Sequence, residues 1–160
     1  MAQNFFEDGV TLQAAATAKM FSGTPIYITS SGAAPATTSS GIHGICMATC
    51  SNVADANNYI TTTCTYQTKG VFEFKVAAAT TFILGDHVFI AAVDNSTAAV
   101  AGEQEGARTT VHNRATATGG DVAIGKCVGL GSTKALGDAL GTTYIQCQLV
   151  TLNNSNIANK

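Results

Sequence analysis

Apolar positions along this chain come in short runs, rich in Thr, Val, Ile and aromatic residues, and the runs are separated by Gly, Asn, Asp and Ser. That pattern reads as strands joined by turns. The runs predict strands over residues 9–13, 25–29, 42–48, 59–67, 71–76, 87–92, 122–130 and 143–152, with a further short one over 109–113. Residues 30–40 are small and polar and include Pro35, so they read as a loop. Residues 133–140 alone have some helical character, which Gly137 weakens. The longest stretch without an apolar run is 94–120, expected as an insertion on an exposed side or between subunits.

The pattern repeats within the chain. Displaced by 62 residues, positions 10–16 lie over 72–78 and 23–28 over 85–90. With gaps, Gly44-Ile45-Cys46 matches Gly125-Lys126-Cys127, and Tyr59-Ile60 followed by Cys64 matches Tyr144-Ile145 followed by Cys147. Two similar β-units with one apolar face each are expected to close on each other. The expected fold is therefore all-β, a compact β-barrel or β-sandwich built from two similar halves. The expected organisation is an N-terminal arm over 1–8, one β domain over 9–152 (halves 9–67 and 71–152, insertion 94–120) and a C-terminal tail over 153–160.

Composition narrows the function. Only 11% of the residues are charged, the net charge is -2, and Trp is absent. Many of the apolar residues are Ala, so large side chains for a core are few and subunit contacts are expected to add stability. The chain has two arginines, Arg108 and Arg114, too few to build a basic patch that displaces counterions. Nucleic acid is not an expected partner. No run of 18 apolar residues occurs, so no membrane-spanning helix and no membrane partner are expected. Residues 1–9 carry Glu7 and Asp8 but no Lys or Arg, unlike a secretory signal, which places synthesis in a cytosol.

Candidate chemistry is sparse. The five cysteines are Cys46, Cys50, Cys64, Cys127 and Cys147. Cys46, Cys50 and His43 form the most tempting cluster. A strand would separate positions four apart by about 13 Å, too far for one metal unless the chain turns between them. Cys64, Cys127 and Cys147 stand singly on their strands, so buried thiols are expected, with no metal and no cofactor. No histidine is placed beside a cysteine in a way that marks a nucleophile, and no Gly-x-Ser-x-Gly occurs. The run 129–134 has the residue types of a phosphate loop in the wrong order and reads as a turn ending a strand. Carboxylates are scattered as Glu7-Asp8 and Glu103 with Glu105, without the aromatics of a sugar-cleaving groove. No enzymatic activity is expected.

Several segments share an order with one family. Asn4-Phe5-Phe6-Glu7-Asp8-Gly9, Gly70-Val71-Phe72-Glu73-Phe74-Lys75, Gly85-Asp86-His87-Val88-Phe89 and Ile124-Gly125-Lys126-Cys127-Val128 resemble motifs of the capsid cement, or head decoration, proteins of tailed bacteriophages. The chain departs from them in lacking a Pro between Phe74 and Lys75, in its cysteines and in the length of 94–120. The resemblance implies a barrel-like, β-tulip subunit, homotrimeric, on the outer capsid surface of a virion assembled in a bacterial cytoplasm. The implied partner is the major capsid protein, whose capsomers such proteins bridge against the pressure of packaged DNA. It also implies that Asn4, Phe5, Phe6, Glu7 and Asp8 form an arm along the shell. Glu103, Glu105, Arg108 and Arg114 are candidates for subunit contacts or an exposed loop. Another virion component, a tail or fibre-base module, and an exposed glycan-binding decoration are the alternatives.

Overall fold

The computed structural model describes residues 11–53, 60–93, 109–117, 119–134 and 142–151. The predicted arm, the tail, and Glu103, Glu105 and Arg108 lie outside the described residues.

The described residues form ten strands and no helix. The first five are β1 (Thr11–Ala15), β2 (Pro25–Thr29), β3 (Gly32–Pro35), β4 (Gly44–Cys46) and β5 (Thr63–Gln67). They make one sheet in the order β1-β5-β4-β2-β3. The second five are β6 (Val71–Val76), β7 (His87–Val93), β8 (Thr109–Asn113), β9 (Ala123–Lys134) and β10 (Thr142–Leu149). They close into a barrel, β10-β6-β8-β7-β9. Read from β6 the other way round, the barrel order is β6-β10-β9-β7-β8, which is the first sheet's order with five added to every strand.

The correspondence extends to closure. The barrel shuts through a parallel pairing of β6 with β8 that includes Val76 and Val111, and Ala77 N–H donates to the Val111 carbonyl at 2.9 Å. In the first unit a parallel bridge joins Ala16 to Ala33, and Thr17 N–H donates to the Ala33 carbonyl at 2.9 Å. The first sheet thus also curls until its edges meet.

This closure explains a difference from the sequence reading. Residues 32–35, expected as loop, are strand β3. The segment is small because it lies against β1: a Cβ on Gly32 would stand 2.2 Å from the Ala15 carbonyl oxygen. Small side chains here reflect close backbones rather than a turn. Two further boundaries differ. The strand expected from 59 begins at Thr63, and β9 runs on as strand through Lys134, across the run read as a turn. Of the segment given helical character, 133–134 are strand and 135–140 lie outside the described residues.

The internal repeat is real in the registers, with one correction. Ile26 faces Gly44 as Val88 faces Gly125, and Cys46 faces Tyr66 as Cys127 faces Cys147. Leu12 faces Tyr66 as Phe72 faces Cys147. The counterpart of Cys147 is therefore Tyr66, not Cys64, and β6 is displaced from β1 by two residues fewer than β7 is from β2. The link from the first strand to the second is two residues longer in the second half, which an ungapped match hides.

Each unit wraps its own interior. Ile26, Ala33, Cys46, Cys64 and Tyr66 fill the first, with Met20 and Cys50. Phe74, Val88, Ile90, Val111, Cys127, Ile145 and Cys147 fill the barrel. Ile45, adjacent to Cys46, points the other way because side chains alternate along a strand. It packs with Ala36, Ile42 and Tyr27 against the barrel cluster, so the outer face of the first sheet is the contact between units. The Val122 N–H to Thr38 carbonyl bond, 2.9 Å, ties the same junction.

Candidate functional site

Three thiols converge inside the first unit. Cys46 ends β4, Cys64 lies on the neighbouring β5, and Cys50 follows the turn after β4. The turn reverses the chain because Cys50 pairs with Met20, each main-chain N–H donating to the other's carbonyl at 2.8 and 2.9 Å. Cys46 Sγ is 3.9 Å from Cys50 Sγ and 3.8 Å from Cys64 Sγ, and all three sulfurs lie within 4.8 Å of one another. All three residues are fully buried. This corrects the expectation that Cys46 and Cys50 are held apart and that Cys64 stands alone. The sequence shows three residues between the first two but not the Met20 pairing that folds them back.

Crowding couples the three protons. Hydrogen bonds from Cys46 and then Cys64 pull the Cys50 thiol down to about 4. The same contact with Cys50 pushes Cys46 up to about 12, and contacts with Cys46 and Cys50 raise Cys64. The three thiols thus titrate as one coupled group, in which loss of a first proton makes the second and third harder to remove. His43 is not part of the group. Its Nδ1 accepts the Ile28 N–H at 3.1 Å, its ring packs edge-on against Tyr27 at 5.2 Å, and burial lowers its basicity. In the barrel, Cys127 and Cys147 face each other as register partners, and burial raises both thiols, Cys147 to about 12.

The outer surface carries a second feature. Ile83 and Leu84 are 65% and 63% exposed. They sit on a tight turn in which Asp86 N–H donates to the Ile83 carbonyl at 3.2 Å. Gly85 takes φ 92°, a conformation that favours glycine, and Asp86 Oδ2 accepts the Ile83 N–H at 3.0 Å. Gly85 N–H donates to the Cys127 carbonyl, which ties the turn to β9 at the residue before exposed Val128. Exposed Leu130 lines a depression of about 250 Å³ with Val76, Phe82, Tyr144 and Ile145. The equivalent turn of the first unit is Phe21-Ser22-Gly23-Thr24. There Phe21 is buried and Ser22 donates to the Met47 carbonyl at 3.0 Å. A rigid turn with two aliphatic side chains in water is thus peculiar to the second unit. The signal was present as Ile-Leu-Gly-Asp, apolar residues directly before a turn pair.

Of the predicted contact residues, Arg114 is described. It is exposed after β8 and borders a cleft of about 380 Å³ with His87, Phe89 and Asp121. His112, nearby, is held: Nε2 is 3.2 Å from the Ile90 carbonyl oxygen and Nδ1 is 3.2 Å from Thr116 Oγ1.

Comparison with protein-family models, curated proteins and solved structures finds no match.

Proposed function

We propose that this chain is a non-enzymatic structural protein of a tailed-phage virion, a cement or decoration protein that binds the outer capsid surface. It bridges capsomers by multivalent contacts and associates with copies of itself as a trimer. The observation that carries the reading is the exposed Ile83–Leu84 turn, tied through Gly85 to β9, the strand that also exposes Val128 and Leu130. Adjacent exposed aliphatic residues on a fixed backbone lose little entropy on docking and suit a protein interface. The family-like segments 70–75, 85–89 and 124–128 fall on β6, the turn and start of β7, and β9, the strands that form or border this surface. Many identical weak contacts around a shell then add to a strong attachment.

The test is co-sedimentation of the purified protein with mature shells that lack it. Saturable binding that is lost in Ile83→Asp/Leu84→Asp supports the proposal. A monomer that leaves the shells bare contradicts it.

A second reading rests on the Arg114 cleft. Its mixture of Arg114, Asp121, His87 and Phe89 suits weak carbohydrate recognition by an exposed decoration. Glycan-array binding that Arg114→Ala removes would favour it.

A further inference from the structure

The two units give each core position a counterpart, and the comparison isolates one place where they differ in kind. Phe74 pairs with Ile145 inside the barrel, and both are buried. The corresponding pair in the first unit is Ala14 with Cys64. Val76 and Val111 are likewise replaced by Ala16 and Ala33, the residues of the closing bridge. The first unit therefore has little hydrocarbon where the second has most. Into that region it brings the sulfurs of Cys46, Cys50 and Cys64.

We propose that the three thiols form a structural site for a thiophilic d10 cation, with Zn²⁺ the first choice and Cu⁺ the other member of the class. Three relationships support it. A tetrahedral ion with Zn–S bonds of about 2.3 Å holds its sulfurs roughly 3.8 Å apart. The sulfurs here stand 3.8 and 3.9 Å apart, with all three within 4.8 Å. The ligands come from two neighbouring strands and a turn fixed by main-chain bonds, so the site is formed before any ion enters. The remaining sulfur of this core is the thioether of fully buried Met20, a soft donor for a fourth position.

A Cys46–Cys64 disulfide fits less well. Cys46 faces Tyr66, so Cys64 is its diagonal neighbour on the same face, at a Cα separation of about 7–8 Å for such pairs. That exceeds the usual range for a disulfide, up to about 6.8 Å. Charge favours zinc over copper: three thiolates leave one net negative charge on Zn²⁺ and two on Cu⁺, and buried net charge is costly. Binding is a ligand exchange without redox change. Each coordinating thiol forms a metal–sulfur bond and gives its proton to solvent. The ion would join β4, β5 and the turn after β4, and so brace the unit with the smaller core.

The experiment uses the full chain, reduced and freed of metal by a chelator, then titrated anaerobically with Co²⁺ as a spectroscopic stand-in for zinc and, separately, with Cu⁺. The expected result is one equivalent of Co²⁺ with intense sulfur-to-cobalt charge-transfer absorption, displaced by Zn²⁺, and a rise in the thermal midpoint on adding Zn²⁺. Cys50→Ser and Cys64→Ser abolish the band, whereas the Cys127→Ser/Cys147→Ser double variant keeps it. Stoichiometric Cu⁺ uptake with the same dependence on the three cysteines, without a cobalt band, also supports the site and assigns it to copper. The wild-type titration stands even if a variant fails to fold. Absence of both signals in the folded wild-type protein overturns the proposal. So does an as-isolated mass lower by two hydrogens with a disulfide mapped among these cysteines. None of these readouts depends on shell binding, so the capsid proposal stands or falls separately.

Discussion

Cys46 and Cys127 occupy the same place in two copies of one fold. The Gly23 N–H donates to the Cys46 carbonyl and the Gly85 N–H to the Cys127 carbonyl, each at 2.8 Å. In return, the Cys46 N–H donates to Thr24 and the Cys127 N–H to Asp86, again at 2.8 Å. Two turns separated in sequence by the repeat length thus clamp two central strands identically. One scaffold then carries different contents: a thiol cluster in the first unit and an aromatic-aliphatic core with an exposed apolar turn in the second.

The clamp predicts which glycines are indispensable. A Cβ on Gly125 would lie 2.2 Å from the Gln148 carbonyl oxygen, and one on Gly44 would lie 2.5 Å from that of Gln67. Backbone must move in either case, so Gly125→Ala and Gly44→Ala each cost about 3 kcal/mol or more. Gly85 has open space around it but φ 92°, so Gly85→Ala costs only about 1–2 kcal/mol, from conformation alone. Urea unfolding of the three variants checks this ranking.

Core contents predict unequal sensitivity of the two units. Phe74 is 1% exposed and paired with Ile145, so Phe74→Ala leaves a cavity and costs about 3–5 kcal/mol. Its counterpart is already alanine. Native-state hydrogen exchange of Phe74→Ala is expected to show lost protection in β6 and β10.

His43 predicts a pH dependence. Burial places its folded pKa below the unfolded value of about 6.5, so the unfolded chain binds the proton more readily. Stability from this group is therefore full above that pH and declines as pH falls through about 6.5 toward the folded pKa. Thermal midpoints of the metal-free protein should fall in that direction, and His43→Gln should flatten this part of the profile. An unchanged profile would remove His43 as the cause.

The exposed turn predicts a separation of stability from association. Ile83→Asp with Leu84→Asp removes no buried contact of the isolated chain, so folding stability changes by about 0.5 kcal/mol or less per substitution. Shell binding and self-association are expected to be lost. Calorimetry and sedimentation on the same sample distinguish the two effects.

Strand-forming runs and glycine turns were legible because alternation and turn chemistry are local. So was the repeat, since Gly23 with Gly85 and Gly-x-Cys with Gly-x-Cys are spaced by the fold. Strand β3 was not legible, because the smallness of Gly32 and Ala33 answers to β1 across the sheet edge, a relation no local pattern contains. The thiol cluster was hidden for the same reason: Met20 turns the chain at Cys50, and β5 delivers Cys64 from fourteen residues further on. Ile83 and Leu84 fall between the strands predicted over 71–76 and 87–92, where local pattern does not show that both side chains are exposed. The arm residues Asn4, Phe5, Phe6, Glu7 and Asp8 and the loop residues Glu103, Glu105 and Arg108 fall outside the described residues, so the arm's proposed contacts rest on the resemblance and those of the loop on the lack of an apolar run over 94–120.

The most direct measurement is a cryo-electron-microscopy reconstruction of virions that contain this chain. A cement protein would show density for paired five-stranded β-units on the outer shell, at junctions between capsomers, with the Ile83–Leu84 turn against a neighbouring subunit. Density for the chain in the tail, or particles that assemble and retain DNA without it anywhere on the shell, would contradict the account.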